Sequence, residues 1–210
     1  MRVDVTRRRA VTAILCAGLG LAGCAAQPLT QPSWPAPPNP MALAGQGGLE
    51  PTEKEYLTTH THAHLDVFVD GQDVEVPSGI GIDIEAPTGI DIQPTDDGTA
   101  TDYQVTLCEA ACLSPLHTHD PSGIIHTESS KADQDPYTLG QFFTEWGVRL
   151  DNSCVGEFCT SSTSIDVYLN GEKYDGNPAD IKLESHLEIA IIIGTPPSVI
   201  PDRWEFLTPQ

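Results

Sequence analysis

An α+β fold dominated by β-structure follows from three features of this 210-residue chain. Two short runs that alternate apolar and polar residues end in Asp-Gly or Asn-Gly, dipeptides that favour the type I′ turn of a two-residue hairpin. One short amphipathic helix is legible between residues 138 and 147. The terminal run Leu187–Ile193 is nearly continuous apolar sequence, as befits a central strand. Together they predict short hairpins and one short helix packed on a sheet, with a second half that is β-grasp-like.

The chain opens with Arg2, Arg7, Arg8 and Arg9, then an apolar stretch from Ala10 to Leu21. That stretch is shorter than the roughly 20 apolar residues a membrane span needs and reads as a signal peptide. Thr6-Arg7-Arg8 also has the look of a twin-arginine signal. Leu21-Ala22-Gly23-Cys24 resembles the lipobox of bacterial lipoproteins. The resemblance implies cleavage of residues 1–23, a lipid on Cys24, and attachment to the extracytoplasmic face of the cell membrane. A conventional signal peptide with a chance cysteine is the alternative. Removing residues 1–23 takes four arginines and Asp4 from the 10 basic and 30 acidic residues, leaving 6 and 29 and a net charge of −23. Such a chain lacks the clustered Lys and Arg that phosphate binding requires, so nucleic acid is not an expected partner. Residues 24–54 are rich in Pro, Ala, Gly and Gln and read as a tether. Residues 55–200 are expected to form one domain, and residues 201–210 a tail.

The first hairpin is Leu65-Asp66-Val67-Phe68-Val69-Asp70-Gly71, echoed at Ile165-Asp166-Val167-Tyr168-Leu169-Asn170-Gly171. Each copy then runs to a proline, Pro77 or Pro178, and an isoleucine-containing strand. Leu65, Val67 and Val69 take the core side, which places Asp66 and Phe68 on the opposite face. Cys108, Cys112, Cys154 and Cys159 remain once Cys16 leaves with the signal and Cys24 takes the lipid. Outside the cytoplasm they read as two local disulfides, Cys108–Cys112 and Cys154–Cys159. A four-thiolate metal site competes less well, because oxidation removes the thiolates.

The helix begins at Thr138, an N-cap that Gln141 completes as a capping box. Leu139, Phe142, Phe143 and Trp146 form one apolar stripe, and Gly147 ends it. A capped helix, a strand ending in Leu-Asn-Gly and a terminal aliphatic strand are similar to the β-grasp arrangement over residues 138–194.

Six of the seven histidines fall in two clusters. His60, His62 and His64 alternate in HTHAH; His117 and His119 lie in LHTHD, with His126 close behind. Residues i and i+2 of a strand share a face about 7 Å apart, whereas i and i+4 are about 13 Å apart. His62 can therefore share an ion with either neighbour, but His60 and His64 cannot easily share one. Asp120-Pro121-Ser122-Gly123 signals a turn. A two-residue loop there pairs His117 with His126 and puts both on one face with His119; a three-residue loop with a Gly bulge turns His126 away. Asp120 and Glu128 are possible oxygen ligands or partners that orient an imidazole, although Asp120 also has a plain role in the turn. His186 precedes the last strand in phase with Glu188 and is an outside candidate.

HTHAHLDVFVDG, LHTHDPSGIIHTES and TLGQFFTEWG together resemble an uncharacterised group of secreted or membrane-anchored prokaryotic His-rich proteins. The resemblance implies a shared fold and a shared histidine site, with no assigned activity to transfer. Imidazole-rich sites suit Zn, Cu(II), Ni and non-haem Fe, of which Zn or Cu(II) is the favoured expectation. One methionine, Met41, follows the signal, which excludes a methionine-based Cu(I) carrier. The leading expectation is thus a lipid-anchored protein that binds Zn or Cu(II) for buffering, sensing or delivery. A metal-dependent hydrolase and a cell-envelope scaffold with no metal are the alternatives. No nucleophile elbow, catalytic triad or glycosidase-type carboxylate pair is present.

Overall fold

The computed structural model describes residues 27–206. The signal, the lipobox and Cys24 lie outside them. The elements run in order α1 (Pro40–Gln46), β1 (Thr59–Val69), β2 (Gln72–Val74), β3 (Ile90–Pro94), β4 (Thr101–Val105), β5 (Leu116–His117) and β6 (Ile124–Ser129). They continue with α2 (Leu139–Trp146), β7 (Cys154–Val155), β8 (Phe158–Cys159), β9 (Ile165–Leu169), β10 (Glu172–Tyr174) and β11 (Glu188–Ile193). The fold is α+β and β-dominated, built on a mixed sheet of seven strands.

Strand β1 organises that sheet. One edge of its second half pairs in parallel with β11, from His64↔Glu188 to Val69↔Ile193. Its other edge is shared: β6 runs antiparallel along the first half, and β2 along the end of the second. Beyond β11 lie β9 and β10. The resulting order β2-β1-β11-β9-β10, with a helix across it, is β-grasp-like. It draws on the first hairpin as well as the second half of the chain. The two echoed sequences flank β11 on opposite edges. Both make the expected tight turns, with Asp70 and Asn170 at φ 50° and 49°, each followed by a left-handed glycine.

Helix α2 has the predicted capping box and ends at Gly147 in the left-handed conformation. Its stripe of Leu139, Phe142, Phe143 and Trp146 packs on Ala63, Leu65, Val67, Val69, Ile189, Ile191 and Ile193 in one core. Burying each large side chain contributes about 2 kcal/mol. The disulfides are Cys108–Cys112 and Cys154–Cys159.

One expectation is corrected. Residues 27–54 are not a free tether over their described length. Trp34 packs edge-on against Trp146, whose indole N–H donates to the Trp34 carbonyl at 2.9 Å. Ala44 and Leu49 are buried in the main core. A Pro-rich segment carries few backbone donors, so it can lie on apolar side chains at little hydrogen-bonding cost. The isoleucine-containing strand expected after Pro77 comes only at β3, Ile90–Pro94; before it Ile80 lies in a turn and Ile82 makes an isolated bridge to Leu113. The left-handed Gly79 and Gly81 flank Ile80 and break the extended conformation, and both isoleucines are still buried. Among the described residues, no helix is long and apolar enough to cross a membrane.

Candidate metal centre

The alternation of β1 splits its residues between two chemistries. Ala63, Leu65, Val67 and Val69 face α2. His60, His62, His64 and Asp66 take the opposite face. Strand β6 places His126 directly opposite His62 and Glu128 opposite His60. Strand β5 then pairs His117 with His126, the register of the two-residue-loop alternative. Pairing stops at His117, and residues 118–123 form a wider connection. His126 thus belongs with His117 and His119.

Three ring nitrogens meet in a triangle. His62 Nε2 lies 3.1 Å from His60 Nε2 and 3.0 Å from His126 Nδ1, and the third side is 3.2 Å. Ligands about 2.05 Å from one ion lie about 2.9 Å apart at a right angle and about 3.3 Å apart at the tetrahedral angle. The triangle falls between these spacings. Hydrogen bonds alone do not account for it. Each nitrogen either carries a proton or a lone pair, so in every assignment at least one contact joins two like roles.

The second pair makes the same point with its tautomers fixed. His117 Nδ1 donates to the Ser114 carbonyl at 2.9 Å, and His119 Nδ1 donates to the Tyr103 carbonyl. A carbonyl only accepts, so both protons sit on Nδ1. In the neutral rings the Nε2 lone pairs face each other 3.1 Å apart. Such orienting bonds are the usual support of metal-binding imidazoles. Both rings pack around His126, with centroids at 5.1 and 4.5 Å.

Two carboxylates complete the group. Glu128 is buried; its Oε2 accepts the Tyr56 N–H at 2.9 Å, while its Oε1 has no hydrogen-bond donor. That oxygen lies 3.6 Å from His60 Nε2 and 3.8 Å from His117 Nε2. Glu55 Oε1 lies 3.4 Å from His119 Nε2. Burial pushes the Glu128 carboxyl up to about 7, against the opposing pull of the Tyr56 N–H. Burial, then the neighbouring imidazoles, lowers His62 to about 4 and holds His117 and His126 well below the usual histidine range. These rings are neutral at pH 7, the form that ligates metals.

The remaining candidates lie elsewhere. His64, expected among the ligands, has both nitrogens committed to oxygen acceptors. Its Nε2 donates to the Ser122 carbonyl at 2.8 Å, and its Nδ1 lies 3.0 Å from Glu188 Oε2. Burial opposes charge on the ring, but Glu188, Asp66 and the Ser122 carbonyl outweigh it and raise the imidazole above its ordinary value. Charge on the ring competes with metal binding there, yet His64, Asp66 and Glu188 bring ligand atoms within 4.8 Å of one another, so the expected ligand His64 sits in a candidate group of its own. Trp204 stacks on the His64 ring with centroids 3.9 Å apart, a contact that charge on the imidazole strengthens. Asp120 accepts the Ser122 N–H at 2.8 Å, as turn chemistry demands. His186 turns its ring to Phe206, at 4.6 Å. The segment 201–206, expected as a tail, lies over this face through Trp204 and Phe206. Beside them a cleft of about 430 Å³ reaches His62, His126 and Asp120.

Sequence reasoning missed Glu55, one of 30 acidic residues, which nothing in the run Glu53-Lys54-Glu55 singles out. Its role appears only when the loop before β1 is placed beside His119. Comparison of the chain with protein-family models, with curated proteins and with solved structures returns no match. The histidines and acidic residues form several groups whose ligand atoms are spaced to hold a metal ion.

Proposed function

We propose that this protein binds a transition-metal ion, Zn(II) or Cu(II), through the histidines on the outer face of its sheet. The observation that carries the reading is the triangle of His60, His62 and His126, with all three nitrogens within 3.2 Å of one another. Neutral nitrogen donors, fixed tautomers and burial favour such an ion over Mg(II) or Ca(II), which prefer oxygen. The chain is anchored at the extracytoplasmic face of the membrane through a lipid on Cys24, as the lipobox suggests, and buffers, senses or delivers the ion there. It belongs with the secreted or anchored His-rich proteins whose three sequence blocks it resembles. The test is elemental analysis of the purified chain, followed by titration with Zn(II) and Cu(II) against a competing chelator. Affinity at least 100-fold tighter than that of free imidazole supports the reading; absence of binding overturns it.

The cleft beside His62 and His126 favours a second reading, a metal-dependent hydrolase. Its ion would activate water, and Asp120 on the cleft wall would accept the proton. Turnover of carboxylic or phosphoric esters by the metal-loaded chain, lost in Asp120→Asn, separates it from a carrier.

A further inference from the structure

Resting on that metal-binding reading, we propose that the site is built for two transition-metal ions side by side, with Glu128 as the carboxylate that bridges them. The five nitrogens fall into two groups, His60–His62–His126 and His117–His119–His126, each with ligand atoms within 4.8 Å of one another. His126 spends its Nδ1 in the triangle, where it faces both His60 and His62. The lone pairs of His117 and His119 are a separate two-nitrogen bite, 3.1 Å wide. Glu55 stands 3.4 Å from its outer nitrogen and supplies an oxygen.

Donor number points the same way. Five imidazoles and two carboxylates exceed the four to six ligands that one ion of this class accepts. Shared between two positions, they give each ion three or four. Glu128 Oε1 is placed for the bridge. It is buried, lacks any hydrogen-bond donor, and lies nearly equally far from His60 of one set and His117 of the other. A carboxylate that bridges two cations about 3.5–4 Å apart finds there the positive charge that its surroundings deny it.

The full chain, stripped with chelator, is dialysed against Zn(II) and analysed, and is separately loaded with Cu(II) for electron paramagnetic resonance. The expected result is two ions per chain and a Cu(II) spectrum broadened by coupling, with a half-field signal. Paired His117→Ala and His119→Ala substitutions leave one ion and an uncoupled spectrum, as do paired His60→Ala and His62→Ala. Glu128→Gln weakens the second ion at least tenfold. The two measurements on the unsubstituted chain decide the matter even if a variant fails to fold. One ion per chain, or two without coupling, overturns the paired site and leaves single-ion binding intact. No ion at all overturns the metal reading itself.

Discussion

His64 and Glu188 face each other across parallel strands, Nδ1 to Oε2 3.0 Å, with both side chains 1% exposed. The pair sits where β1 leaves β6 and joins β11. It therefore ties the histidine-bearing half of the sheet to the half that carries the core. His64 has a folded value raised above its ordinary 6.5. The stabilisation it gives is complete below about pH 6.5 and is lost as pH rises through that folded value. Glu188→Gln strands a buried charge, and removing one partner of such a pair costs about 3–5 kcal/mol. Urea unfolding should show that gap at pH 6 and a smaller one at pH 9. An equal gap at both would refute an imidazolium at this position.

The clustered histidines behave in the opposite sense. His62, His117 and His126 are held neutral by burial and by one another. A base with a depressed folded value costs nothing above pH 6.5. Below that, the unfolded chain takes up protons that the folded chain refuses, and stability falls until the folded values are reached, about 4 for His62. Relative to a His62→Asn variant, the metal-free chain should therefore lose melting temperature between pH 6.5 and 4. Zn(II) at 100 times its dissociation constant should add about 2.7 kcal/mol at pH 7, and this protection should vanish over the same acid range. Calorimetry with and without chelator measures both.

Glu145 is a buried acid on α2 with no hydrogen-bond partner for either oxygen. Burial raises its carboxyl well above the usual range, which favours the neutral acid in the folded chain. The unfolded chain ionises it above pH 4.5, and each further pH unit costs the folded state about 1.4 kcal/mol until its own value is reached. Glu145→Gln should be close to neutral at pH 4 and increasingly stabilising toward pH 8. Denaturation curves at the two pH values test this. A gain that does not grow with pH would show that the acid is ionised in place.

Trp204 stacks on His64 and lines the cleft that reaches His62 and His126, whereas Trp34 and Trp146 pack against each other on the core side. Cu(II) at the triangle should quench mainly Trp204. Fluorescence titration should lose most of its quenching in Trp204→Phe, with metal affinity changed less than tenfold. Quenching that persists would place the ion away from this face.

Local signals in the sequence revealed a good part of this. Asp70-Gly71 and Asn170-Gly171 fixed two turns, because few residues other than Gly, Asn and Asp accept those backbone angles. Thr138 and Gln141 marked the start of α2, and strand rise separated His60 from His64. Long-range pairing left no such mark. Nothing near His62 says that His126, 64 residues on, lies opposite. Two registers fitted the turn at Asp120, and only packing on β1 selects between them. Glu188 reads as the polar first letter of an apolar strand, yet it is the carboxylate that faces His64 and gathers it with Asp66 into a group apart from the other histidines.

The alternation along β1 lets one ribbon answer two selective pressures. Substitutions at 63, 65 and 67 are felt by the scaffold, and those at 60 and 62 by whatever occupies the outer face. The chemistry of the outer face can thus change from one descendant to the next while the same architecture is inherited.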